Sequence, residues 1–295
     1  MIVSASRRTD IPAFYSPWFM NRLREGYVLI RNPFRPSQCS RVSLDPANVE
    51  AIVFWTRNAE PLILHLHDLD RMGYRYYFQY TVVQYPRVFE RSTVALAKKL
   101  ERFRKLSQTV GPEKAVWRYD PVILSNLTDL GYHKNRFEEI AKALSGFTDR
   151  CVISFLDVYQ KTRRTLHDLE RKKGIRVVDL HHQEATVREL CRVFAQIGKA
   201  CGIQLLTCAE PFDLEGFGIH HGKCIDDQRL NNLFGLGLSI AKDRGQRKLC
   251  RCAESKDIGA YDTCPYGCVY CYANTSVESA RRNFHRHDSR APLLL

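Results

Sequence analysis

With 295 residues, 44% of them apolar, the chain is long enough to bury a sizeable core and has the size at which single α/β barrels occur. No apolar stretch approaches the roughly 20 residues of a membrane span, and Met1–Asp10 lacks the basic region and apolar run of a signal peptide, so a cytoplasmic protein is expected. The net charge of +13 admits a polyanionic partner such as nucleic acid. However, no block of about five like charges marks a basic arm, and a basic surface with a few anion-binding arginines is the plainer account.

Ile2–Ala5 reads as a short apolar strand ending in Ser6-Arg-Arg-Thr-Asp10. Tyr27–Arg31 and Arg41–Leu44, separated by Asn32–Gln38, predict an inserted β-hairpin over residues 27–44. Ala51–Trp55 is a continuous apolar run, as in a strand buried on both faces. Beyond it, helical patterns at Glu60–Met72, Val88–Leu106, His133–Leu144, Lys161–Lys173 and Gln183–Cys201 alternate with strand patterns at Tyr74–Val83, Ala115–Tyr119, Cys151–Leu156 and Ile203–Cys208. This alternation predicts a parallel sheet in one α/β domain over 1–295: a partial or full (β/α) barrel, with a doubly wound open sheet as the competitor. Every predicted strand ends in polar residues (Ser6 and Arg7; Thr56 and Arg57; Gln79 and Thr81; Arg118 and Asp120; Asp157; Cys208 and Glu210). Parallel barrels carry their sites at those ends, so one polar mouth is expected.

Eleven cysteines are many for a protein of a reducing compartment, and an odd number cannot all pair. Cys39, Cys151, Cys191 and Cys201 lie in apolar or helical contexts and read as small core residues. The other seven fall in a cysteine-rich segment, 208–275. Cys264, Cys268 and Cys271 form a CxxxCxxC pattern with Tyr270 before the third cysteine. Three thiolates suit a 4Fe–4S cluster that keeps one iron open; a zinc site completed by Cys250 or Cys252 is the alternative. Cys208, Cys224, Cys250 and Cys252 supply four further thiolates, enough for a second iron–sulfur cluster or a zinc ion, or they are unligated. The pairs His181-His182 and His220-His221 read as surface loops without a role, and His285 and His287 as part of a basic, solvated tail.

The cysteine loop with its aromatic resembles that of the radical S-adenosylmethionine (radical SAM) enzymes. Ser6–Pro12, Val53–Asn58 and Val116–Val122 further resemble the spore photoproduct lyase-like branch, and most of residues 2–275 is similar to a bacterial family of unknown function that shares this ending. Radical SAM enzymes usually carry the motif early. Here it comes at 264–271, so the resemblance implies a circularly permuted barrel with its first strand at Asp257–Tyr261 and Ile2–Ala5 as its second. It implies a 4Fe–4S cluster on Cys264, Cys268 and Cys271 that binds SAM and cleaves it reductively. The 5′-deoxyadenosyl radical would abstract hydrogen from a substrate, and the electron would come from a donor such as flavodoxin or ferredoxin. Tyr270 takes the family's position near the adenine. By strand-end placement, Arg118 is expected to pair with the SAM carboxylate, and Glu210, Gln79 or Ser6 to bond its hydroxyls. The substrate stays open, a nucleotide or nucleic acid being compatible with the kinship and the charge. Two other classes stay beside this one: a zinc-stabilised nucleic-acid-binding protein and an iron–sulfur electron-transfer protein.

Overall fold

The apolar runs of the sequence line up as neighbouring strands of one sheet. A computed structural model of the chain describes residues 1–33 and 35–295; Phe34, in the connection of the predicted hairpin, lies outside the described residues. In chain order the elements are β1 (Ile2–Ala5), α1 (Ile11–Phe14), α2 (Ser16–Glu25), β2 (Tyr27–Asn32), β3 (Arg35–Ser43), β4 (Ala51–Thr56), α3 (Glu60–Ile63), α4 (Leu66–Arg71), β5 (Tyr76–Thr81), α5 (Leu96–Val110), β6 (Ala115–Val122) and α6 (Leu130–Leu144). There follow β7 (Arg150–Phe155), α7 (Gln160–Lys173), α8 (Glu184–Ala200), β8 (Gln204–Thr207), β9 (His220–His221), α9 (Asp227–Phe234), β10 (Lys256–Asp257) and α10 (Val277–Arg286). Eight strands run parallel in the order β10-β1-β4-β5-β6-β7-β8-β9. β10 and β9 are the two edges, so the sheet is open rather than a closed barrel.

The winding decides between the two architectures expected. In a doubly wound sheet helices cover both faces. Here the buried apolar residues of α1 to α8 share one cluster with Val3, Ile52, Phe78, Trp117 and Ile153, which alternate along one face of the strands. The opposite face presents Ile2, Val53, Tyr77, Val116, Val152 and Leu206. Its cover is drawn from residues 209–253: α9, through Leu230, Leu233 and Phe234, and irregular stretches on either side of it. The sheet is therefore wound in one sense, with α1 to α8 outside and α9 with its irregular flanks against its inner face.

Several boundaries differ from the sequence reading. The hairpin's second strand begins at Arg35, so its connection is short. The helix expected over 60–72 is two short helices, and the one expected from Val88 begins at Leu96. α1 and α2 start with Pro12 and Pro17 in their first turns, where a missing N–H costs nothing, and the Asp10 carboxylate caps α1 by accepting from the Ala13 N–H. The supposed solvated tail is a helix and an anchor. In α10, Phe284 packs edge-on against Phe14 and Tyr15, and the His287 ring meets Tyr15 and Trp18. The predicted core residue Cys39 is exposed on the hairpin, whereas Cys151 and Cys191 are buried and Cys201 is partly so. No helix of the described residues is long and apolar enough to cross a membrane.

Candidate functional site

Along the inner face, each strand changes character from one end to the other. Ile2 is followed on that face by Ser4 and Ser6, Val53 by Trp55 and Arg57, Tyr77 by Gln79 and Thr81, Val116 by Arg118 and Asp120, Val152 by Ser154, and Leu206 by Cys208. The apolar halves bury against the inner segment. The polar halves lie at C-terminal strand ends, and all of these residues but Ser4 and Gln79 line a cavity of about 480 Å³, within the range of small-ligand sites. Cys264, Cys268 and Cys271 line it too, as do Cys208, Cys224, Cys250 and Cys252. All seven clustered cysteines thus meet at one mouth.

The loop that carries the first three is held from several sides. Gly267, in the left-handed region at φ 75°, makes the turn before Cys268. The Val269 N–H bonds the Phe89 carbonyl at 3.0 Å, Asn274 Nδ2 bonds the Cys264 carbonyl at 2.6 Å, and the Tyr15 hydroxyl donates to the Thr263 carbonyl at 2.6 Å. At the base of the loop, Asp257 joins β10 to β1, accepting from Ser6 Oγ at 2.6 Å, the Arg7 N–H at 2.8 Å, Ser4 Oγ at 3.1 Å and the Gly259 N–H at 3.0 Å. A Cβ on Gly259 would stand 2.0 Å from Ser6 Oγ, so this approach requires glycine.

Behind Cys268 lies a buried charge network. Arg57 donates to Cys268 Sγ at 3.2 Å and pairs with Glu90; Glu90 also accepts from the Tyr270 hydroxyl at 2.5 Å and pairs with Lys99 at 3.3 Å. Burial alone would raise the Glu90 carboxyl, but Arg57 and Lys99 outweigh it and hold it low. Burial pushes the Cys268 thiol up to about 11 against the pull of Arg57, and raises Cys264 and Cys271 as well. Burial likewise lifts Asp10, whose carboxylate accepts from the Arg57 N–H at 2.7 Å, to about 6. Sequence spacing gave no sign of Glu90 and Lys99, which come from a loop and a helix that meet only in the fold.

The second four cysteines are closer together. The Cys224 thiol donates to Cys208 Sγ at 3.2 Å, and Cys252 Sγ accepts from the backbone N–H groups of Cys224 and Ile225 at 3.3 and 3.4 Å. Arg118 donates to Cys224 Sγ at 2.9 Å and pairs with Asp120. The bond from Cys224 lowers Cys208 to about 7, and the bonds from Cys224 and Cys250 lower Cys252 strongly, while their donors rise. Among the described residues, no group of three or more His, Cys, Asp or Glu side chains is arranged, as it stands, to hold a metal ion.

Of the residues expected to contact a nucleoside cofactor, Ser6, Arg118 and Tyr270 line the cavity. Gln79 is buried and bonded to the Cys224 carbonyl at 2.8 Å. Glu210 is buried beside β7, one oxygen accepting from the Phe155 N–H at 2.9 Å and the other 3.9 Å from His181 Nδ1, and burial raises it to about 8. His181 is therefore no bare surface residue: it sits between Glu210 and Asp157, 3.2 Å from the latter. Nor is His220-His221 a loop; it forms edge strand β9, with His221 Nδ1 3.2 Å from the Thr207 hydroxyl. Two donors on the cavity wall were not singled out from the sequence as ligand contacts: Arg7 Nη2 and Trp55 Nε1 are buried without a hydrogen-bond partner.

A family model described as a domain of unknown function (DUF1848) matches residues 2–273. None of the curated proteins and none of the solved structures compared with the chain matches it.

Proposed function

The chain belongs to the DUF1848 family, and we propose that it is a radical SAM enzyme built on a circularly permuted, incompletely closed barrel. The observation that carries the reading is the convergence of Cys264, Cys268 and Cys271 at the C-terminal ends of parallel strands, inside a polar cavity also lined by Thr56, Arg57 and Arg118. The permuted order is supported by β10, which pairs in parallel with β1 and leads directly into the cysteine loop.

The donor set suits a cluster with one open iron: three soft thiols on one tight loop, each partly exposed to the cavity, with seating that requires side-chain rotation and loss of the thiol protons. Once bound, such a cluster supplies the electron and coordination site for reductive cleavage of SAM to a 5′-deoxyadenosyl radical, with flavodoxin or ferredoxin as the donor class. The remaining work falls to the chain. Arg57 neutralises charge beside Cys268 and is itself fixed by Glu90. Arg118 is committed to Asp120 and Cys224, whereas Arg7, although it also faces Cys252, keeps Nη2 without a partner, so that donor and Trp55 Nε1 are the better candidates for the SAM carboxylate. Tyr270, held by Glu90, forms a wall of the cavity.

The test is protein purified without oxygen, reconstituted with iron and sulfide, reduced with dithionite and given SAM. The expected result is 5′-deoxyadenosine, abolished in Cys268→Ala. A zinc-loaded protein that forms none and binds DNA or RNA with steep salt dependence would replace the proposal with a binding module. An iron-loaded protein that binds no SAM would replace it with an electron-transfer protein.

A further inference from the structure

We propose that Cys208, Cys224, Cys250 and Cys252 form a second metal site, a tetrathiolate centre for one divalent ion of the zinc class. The four come from three separate stretches: the residue after β8, the loop before α9, and the irregular segment before β10. Their meeting is therefore a product of the fold and not of local spacing.

The geometry favours a single ion over a four-iron cluster. A tetrahedral site with metal–sulfur bonds of about 2.3 Å sets its sulfurs about 3.8 Å apart. Cys224 and Cys208 are already 3.2 Å apart, and both N–H bonds to Cys252 Sγ start from the turn that carries Cys224. A four-iron cluster attaches each cysteine to a different iron and spreads the sulfurs well beyond that. Among the described residues, by contrast, Cys264, Cys268 and Cys271 form no sulfur–sulfur hydrogen bond like that of Cys224 and Cys208. Closing the four onto one ion still requires side-chain rotation.

Charge and architecture agree. Four thiolates on a divalent ion carry two net negative charges. Two guanidiniums stand against them: Arg118, 2.9 Å from Cys224 Sγ, and Arg7, beside Cys252. Both lie over Trp55, at 4.8 and 5.4 Å from its ring. Such hydrogen-bonded partners orient and stabilise metal-bound thiolates. The site also accounts for how residues 235–255, which contain no helix or named strand, hold their place against the sheet. Leu236, Leu238 and Ile240 there are only partly buried, while Cys250 and Cys252 are buried. Stretches of that length without regular structure are uncommon, and this one is otherwise anchored by Asn231 on Leu238, Asp227 on Ile240 and Asp157 on Arg247.

The experiment removes the first group so that the two sites cannot be confused. The Cys264→Ala/Cys268→Ala/Cys271→Ala variant of the full chain is purified and its metals and acid-labile sulfide are measured. The proposal expects one zinc per chain, no iron and no sulfide, with the zinc lost on adding Cys250→Ser and Cys252→Ser. Exchange with cobalt(II) should give the thiolate charge-transfer and visible bands of tetrahedral coordination. If the five-fold variant does not fold, alkylation of the zinc-loaded triple variant decides: Cys208, Cys224, Cys250 and Cys252 should react only after a chelator is added. Iron with sulfide in the triple variant would overturn the single-ion site in favour of a cluster. A metal-free protein whose four thiols react without chelator, or are joined in disulfides, would overturn the site altogether. Either result leaves the deoxyadenosine assay to judge the first site separately.

Discussion

Glu90→Gln separates a structural charge network from a decorative one. Glu90 has 3% of its side chain exposed and faces two cations, Arg57 and Lys99, whose side chains are 20% and 11% exposed. Removing the anion leaves two poorly hydrated positive charges facing each other. Breaking a buried pair by removing one partner costs about 3–5 kcal/mol. Arg57 keeps Cys268 Sγ as an acceptor and Lys99 keeps the Val83 carbonyl at 2.6 Å, so the lower end of that range, about 3 kcal/mol, is expected. For 295 residues the unfolding entropy is about 0.6 kcal/mol/K, so the melting temperature should fall by roughly 5 °C. The assay is thermal unfolding of chelated, fully reduced protein, which excludes metal from the comparison. Adding Lys99→Met should recover part of the loss, because one of the stranded charges is then gone. A Glu90→Gln protein within about 0.5 kcal/mol of wild type, the span of an ordinary surface substitution, would refute the network's role.

Gly259→Ala should destabilise by about 1–3 kcal/mol, since its Cβ collides with Ser6 and disturbs the Asp257 junction; Ser6→Gly in the same chain should restore most of it, as a urea-denaturation cycle would reveal. His133, fully buried, donates from Nε2 to the Ile123 carbonyl at 2.9 Å and accepts from the Tyr119 hydroxyl at Nδ1, and burial lowers it to about 4. Its folded form resists the proton that the unfolded chain takes up near pH 6.5, so this contribution is present above pH 6.5 and is lost as pH falls toward 4. From the 1.36 kcal/mol that accompanies each pH unit, it amounts to about 3 kcal/mol, which His133→Gln should remove from the pH–stability curve.

The strands were legible because a parallel strand buried on both faces is an apolar run, and Ala51–Thr56 is the plainest instance. The polar strand ends were legible for the same reason, as interruptions of those runs. α1 and α2 were not, because Pro12 and Pro17 look like breakers until they are seen in first turns. α10 was hidden by its charge, since Val277, Ala280 and Phe284 are the only apolar residues in it to mark its packed side. The cysteine triplet announced itself by spacing. The convergence of the other four did not, because Cys208 and Cys252 are brought together only by the course of the segment between them. Glu90 and His181 were missed for a related reason: their partners lie in distant elements, and no periodicity reports them.

The Asp257 junction has a consequence for the order in which the molecule can be made. Ser4 Oγ and Asp257 are 253 residues apart along the chain. During synthesis, β1 emerges first and waits, its outer edge unpaired, until β10 is released among the last strands. Arg57 and Glu90 are built long before the thiol loop they will flank, so the mouth of the sheet can be completed only once residues 256–271 have been made. A ribosome stalled before residue 256 would hold a protein with seven of its eight parallel strands and none of Cys264, Cys268 and Cys271. The thiol loop is thereby set in place only after every strand of the parallel sheet has been made.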